Sequence, residues 1–195
     1  MKVAIVKYNA GNTLSVTNAL NRLGVQPIIT DLPDELRSAD RVIFPGVGEA
    51  STAMAFLRDR DLDKLIVSLA QPVLGICLGM QLMCSYSEEN ETTCLGILPY
   101  AVRRFESDKL KVPHTGWNNI TSLRSPLFDG VVDGTHVYFV HGYYVETGPN
   151  TTAVTEYGHD FSSGLTHGNF HAIQFHPEKS GDAGARILEN FLKYD

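Results

Sequence analysis

With 195 residues, 43% of them hydrophobic, the chain has the size of a single domain spanning 1–195, large enough to close a core without staples. Its 16 basic and 22 acidic residues leave a formal charge of -6, and no basic cluster follows a phosphate backbone, which excludes nucleic acid as a partner. Cys77, Cys84 and Cys94 are odd in number and lack C-x-x-C spacing, which points to a reducing, cytoplasmic setting and away from zinc.

Met1-Lys2 leads straight into a strand-like run with none of the features of a secretory leader. Residues 3–7 form that β-rich run, and 8–12 a turn marked by Asn9, Gly11 and Asn12. Leu14, Ala19, Leu20 and Leu23 then line one side of a helix that Gly24 stops. Further strands are expected over 27–30 and 41–44, joined by a polar connection over 31–38. This β-α-β order predicts a parallel sheet. The third strand empties into Pro45-Gly46-Val47-Gly48, whose two glycines let the Gly46–Val47 peptide turn a backbone N–H toward an oxyanion.

Helices over 50–57 and 62–70 lead to a fourth strand and the pattern Gly75-Ile76-Cys77-Leu78-Gly79. This is the G-x-C-x-G form of a strand-to-helix elbow, in which the central residue is held in strained geometry and its neighbours two away must be small. Cys77 is thereby placed as a nucleophile at the positive end of a helix, with the N–H of Leu78 ready for the charge that attack on a carbonyl creates. The uncharged stretch 65–87 has the length of a bilayer span, but Gln71-Pro72, Gly75 and Gly79 break it into shorter elements.

After a polar loop over 88–93, short β-rich segments at 97–105, 120–123, 137–140, 151–157 and 170–175 predict mixed or antiparallel pairing. A helix over 182–194 closes the chain, with Ile187, Leu188, Phe191 and Leu192 on one side. Between the last strand and this helix stands His176-Pro177-Glu178. Residues two apart in extended chain share a side, so Glu178 can fix the tautomer of His176, and His176 can take a proton from Cys77. A metal site built from His167, His171 and His176 is disfavoured, because that spacing fits no common ligand motif. No metal or other cofactor is expected.

GICLGMQ around Cys77, PGVG at 45–48 and HPEKS at 176–180 resemble the motifs of class I glutamine amidotransferases. KVPHTGWN at 111–118 and YFVHGYY at 138–144 narrow the resemblance to the glutaminase subunits of imidazole glycerol phosphate synthases. The resemblance covers nearly the whole chain. It implies a three-layer α/β fold with a largely parallel central sheet and additional antiparallel strands in the C-terminal half. It also implies a Cys-His-Glu triad of Cys77, His176 and Glu178 that hydrolyses L-glutamine to glutamate and ammonia. An oxyanion hole at Val47, Gly48 and Leu78 and substrate contacts at Gly46, Gln81, Gly142 and Tyr143 follow by the same motifs. Gly142 stands where the family has a small hydroxyl residue, and Thr115 and Glu49 also depart from the commoner pattern.

The partner so implied is a (β/α)8 barrel, the separate cyclase of the synthase, which pairs with this chain as a heterodimer. It uses the ammonia to make imidazole glycerol phosphate and AICAR in histidine biosynthesis. Asn12, Trp117 and Lys179 match positions that face it. The alternatives are a glutaminase subunit of the anthranilate synthase type, a cysteine hydrolase with another acyl substrate, and a non-catalytic sensor that binds a partner.

Overall fold

The computed structural model describes residues 1–9, 11–106, 108 and 110–194; Ala10, in the expected turn, lies outside them. The chain begins with β1 (Val3–Val6), α1 (Thr13–Arg22), β2 (Ile28–Thr30), α2 (Pro33–Arg37), β3 (Arg41–Gly46), α3 (Ala50–Asp59), α4 (Leu62–Val67), β4 (Val73–Cys77) and α5 (Leu78–Met83). There follow β5 (Cys84–Ser87), β6 (Thr92–Thr93), β7 (Leu98–Arg104), β8 (His114–Ile120), β9 (Thr135–His141), β10 (Tyr143–Val145), β11 (Thr151–Glu156), β12 (Asp160–His167), β13 (Phe170–Ile173) and α6 (Gly181–Leu192).

The central sheet has the order β11-β12-β13-β4-β3-β1-β2. From β13 to β2 all pairings are parallel, and β12 and β11 extend the sheet antiparallel. Alternation along the strands feeds two cores, one on each face. Val3, Ile5, Ile43, Leu74 and Ile76 pack with Val16 and Leu20 of α1 and with Ile187, Leu188 and Phe191 of α6. Ala4, Val6, Val42, Phe44 and Val73 pack on the other face with Met54 and Leu57 of α3, Leu62 and Ile66 of α4, and Met80 and Leu82 of α5. The result is three layers, helix on sheet on helix, as expected. No helix of the described residues is long and apolar enough to cross a membrane.

A four-stranded sheet of order β10-β7-β5-β6 and the two-stranded ribbon β8–β9 complete the C-terminal half. Several expected boundaries move. The strand anticipated over 120–123 lies earlier, at His114–Ile120, and Thr121 keeps one isolated bridge to Val154. The polar connection over 31–38 contains α2, which Pro33 in its first turn and the acidic Asp34 and Glu35 favour. The helix after the elbow stops at Met83, because Cys84 returns to extended backbone and opens β5.

Because β3, β4 and β13 run parallel, the segments that follow them emerge at one edge of the sheet. Those segments carry PGVG, Cys77 and His176. The topology of an open α/β sheet thus assembles the site at the carboxyl ends of its strands.

Candidate active site

Cys77 ends the strand at the centre of this edge, with φ 53° and ψ -108°, a conformation that costs a residue with a Cβ and persists only where its surroundings enforce it. The enforcing neighbours are identifiable. A Cβ at Gly79 would collide with the Phe44 carbonyl, and one at Gly75 would lie 2.9 Å from Met83 Sδ. Gly79 therefore lets α5 descend directly onto β3, and Gly75 lets it lie close over β4. The other thiols are buried and pushed up by burial, Cys94 to about 11, as expected of inert core cysteines.

His176 is held from two directions. Its backbone N–H donates to the Tyr138 carbonyl at 2.9 Å, and its own carbonyl accepts from Ser180 Oγ at 2.6 Å. Its Nδ1 lies 2.7 Å from Glu178 Oε1, and both side chains are fully buried. Asn12 Nδ2 donates to the same Oε1. Among the described residues the imidazole Nε2 makes no hydrogen bond of ordinary geometry, and the neighbouring Cys77 side chain is close enough to act on the ring. Burial by itself lowers the imidazole, but Cys77 and Glu178 together outweigh it and hold His176 well above its ordinary value.

Cys77 and Leu78 open into a cavity of about 250 Å³ that Val47, Gly48, Gln81, Gly142 and Tyr143 also line. It is amino-acid sized, and six residues expected at the site thus share one wall with the thiol. Gly46 and the His176–Glu178 pair do not line it. Gly46 lies beside Cys77 in the β3–β4 register, where a Cβ would strike the Tyr8 hydroxyl. Tyr8 donates from that hydroxyl to the Pro45 carbonyl at 2.6 Å, tethering the start of the PGVG loop.

Two participants carry no motif of their own. Glu89 reaches the cavity wall, accepts from the Ala50 N–H at 2.8 Å, and is raised above its ordinary value by burial and by nearby Glu49. Gln174 donates from Nε2 to Cys77 Sγ at 3.7 Å and accepts at Oε1 from Gln81 Nε2 at 3.0 Å. Glu89 stands in a run of acidic and polar residues that reads as surface. Gln174 sits two residues before His176, but its role shows only in its contacts with the distant Gln81 and Cys77.

Of the residues expected at an interface, Trp117 is 58% exposed and meets Tyr138 edge-on at 6.0 Å, while exposed Lys179 places Nζ 5.7 Å from the same ring. Asn12 is half-buried and engages Glu178 instead of standing free. No cluster of three or more potential metal ligands occurs among the described residues.

A nucleophile elbow at the edge of a doubly wound sheet, with an imidazole–carboxylate pair at the next strand end, defines the class. The chain belongs to the class-I glutamine amidotransferase family, whose model matches residues 4–194, and is a glutamine amidotransferase. It is 56% identical over 195 residues to the imidazole glycerol phosphate synthase subunit HisH of Bacteroides fragilis strain YCH46, covering 99% of this chain and 100% of the relative. The subunit of the same name from Bacteroides thetaiotaomicron is 57% identical over 98% of this chain and 99% of its own, and that of Yersinia pseudotuberculosis 47% over 99% and 100%. Among solved structures, a glutamine amidotransferase from Thermotoga maritima shares the fold, with TM-score 0.65 at 18% identity over 99% of this chain and 83% of that one.

Proposed function

We propose that Cys77, His176 and Glu178 are the nucleophile, the base and its orienting acid in a glutaminase site, and that this chain, one domain over 1–195, is the glutaminase subunit of an imidazole glycerol phosphate synthase. The observation that carries this reading is the strained Cys77 opening onto an amino-acid-sized cavity, with His176 tied to Glu178 and its ring close to the Cys77 side chain.

The cysteine sulfur attacks the side-chain carbonyl of glutamine. Negative charge on that oxygen is received by the N–H groups of Leu78, Val47 and Gly48. The C–N bond then breaks as His176 passes its proton to the leaving nitrogen, which departs as ammonia and leaves a thioester on Cys77. Water adds to the thioester and yields its proton to His176, the S–C bond breaks, and glutamate leaves. Gln81 and the acidic Glu89 hold the polar end of the substrate against the Gly142–Tyr143 backbone. Glu89 suits an ammonium group, since a half-buried carboxylate gains most from a cationic partner.

The partner is a cyclase subunit that consumes the ammonia, a (β/α)8 barrel forming a heterodimer with this chain over the Trp117–Tyr138–Lys179 surface. The three thiols, none of them in a disulfide, suit a reducing cytoplasm. Purified chain plus its cyclase, given glutamine, releases glutamate, and Cys77→Ala abolishes this by at least about a thousandfold. Turnover surviving in that variant overturns the reading.

A further inference from the structure

Two buried histidines that the glutamine chemistry leaves without a role meet at the pocket, whose wall His141 itself lines. His114 on β8 and His141 on β9 face each other across the ribbon, and His114 Nδ1 lies 2.9 Å from His141 Nε2. Their neighbours dictate where the protons are. The Tyr143 carbonyl, 2.7 Å from His141 Nδ1, can only accept, so that nitrogen carries the hydrogen. Burial lowers His141 to about 3 and His114 to about 4, and both rings are neutral at physiological pH. A neutral His141 protonated at Nδ1 offers a lone pair at Nε2, which His114 Nδ1–H must fill. That leaves His114 Nε2 as an acceptor, and it meets Asn118 Nδ2 at 3.4 Å. Asn118 cannot be turned round, because Nδ2 donates to the Glu156 carbonyl at 2.9 Å and Oδ1 accepts from the Asn119 N–H at 2.8 Å.

The same logic continues beyond Tyr143. Its carbonyl also accepts from Gln81 Nε2 at 3.3 Å, and the second hydrogen of that amide goes to Gln174 Oε1 at 3.0 Å. A flipped Gln81 would set its oxygen against the Tyr143 carbonyl, which can only accept. Gln174 must therefore present Oε1 to Gln81 and Nε2 to Cys77 Sγ. From Asn118 to Tyr143 the donor directions are set by the Glu156 and Tyr143 carbonyls, and from Gln81 to the sulfur by the Tyr143 carbonyl.

We propose that His114 and His141 are positioning residues of the glutaminase site: they hold the Tyr143 carbonyl in place, and that carbonyl, an acceptor only, sets the polarity of two amides, so that Gln81 offers the pocket its Oε1 acceptor and Gln174 turns an N–H onto Cys77. The inference rests on the glutaminase reading and deepens it. It assigns the pocket a ligand that brings an N–H donor to Gln81, as a primary amide or an ammonium does and a carboxylate does not.

The test uses the chain in complex with its cyclase. His141→Phe keeps a ring of similar size but removes the donor to Tyr143, whereas His141→Asn places an amide N–H near the position of Nδ1. The expected result is a KM for glutamine raised about tenfold in His141→Phe and restored to within about threefold in His141→Asn, with both variants melting cooperatively. Equal impairment of two folded variants, or no change in His141→Phe, overturns the positioning role while leaving wild-type glutaminase activity to stand. Two-bond 15N–1H couplings of labelled histidine in the wild-type complex give a second readout that needs no substitution. Nδ1–H tautomers at both His114 and His141 support the proposal, and an Nε2–H tautomer at either one overturns it.

Discussion

At Glu178 the two carboxylate oxygens are unequal: Oε1 takes the His176 ring and the Asn12 amide, while Oε2 has no partner among the described residues. Asn12 therefore fixes the orientation of the carboxylate that holds the His176 ring. Asn12→Ala leaves the substrate pocket intact and lowers kcat by about tenfold with KM for glutamine little changed, since one donor to a buried carboxylate is lost. Glu89→Gln has the opposite split. It removes charge from the pocket wall but touches neither sulfur nor imidazole, so KM rises by about tenfold to a hundredfold while kcat holds. Steady-state kinetics of both variants with the cyclase present check the pair; a kcat loss in Glu89→Gln or a KM loss alone in Asn12→Ala contradicts the assignment.

The β4–α5 elbow rests on contact between backbones, and this makes it sensitive to a single methyl group. Gly79→Ala drives a Cβ into the Phe44 carbonyl, which no rotamer can relieve, and costs about 1–3 kcal/mol or more. Thermal melting of the variant falls by several degrees, with little or no folded protein as the extreme; an unchanged melt contradicts the close approach. The β8–β9 ribbon behaves differently, because Trp117 stands largely in solvent. Trp117→Ala leaves the melt of the isolated chain nearly unchanged but weakens the cyclase complex by at least about tenfold, as calorimetric titration would read.

Legibility in sequence divides along the same elements. The parallel half was readable because β1, β3 and β4 are apolar runs punctuated by glycine or proline, and because the elbow demands glycine at 75 and 79. β8 was missed because it buries only His114 and Ile120 at its ends, with Gly116, an outward-facing Trp117 and polar residues between, so no apolar alternation marks it. The Cys77 elbow and the His176–Glu178 contact were legible from motif spacing. Glu89, Gln174 and the His114–His141 contact were not, since each acquires meaning only from a chain-distant neighbour that the fold supplies.

For the molecule as a whole, its buried histidines set opposing limits on stability. His141, His114 and His171 are held by burial at about 3, about 4 and about 4, below the value near 6.5 of an unfolded histidine. Below about pH 6.5 the unfolded chain binds protons that the folded chain refuses. Their contribution is thus complete above that pH and is lost as pH falls toward the folded values. Each such group costs up to about 1.4 kcal/mol per pH unit over that range. His176 runs the other way. Raised by Cys77 and Glu178 against the effect of burial, it contributes fully below about pH 6.5, and that part is lost as pH rises through its folded value. Melting temperature therefore peaks near neutrality and drops on the acid side between about pH 6.5 and about pH 4.5. In His141→Phe, which takes up no proton at this position, the acid limb is shallower by about one proton. A melting temperature flat across that acid range, or an unchanged slope in His141→Phe, would show that these rings are not buried in their neutral form.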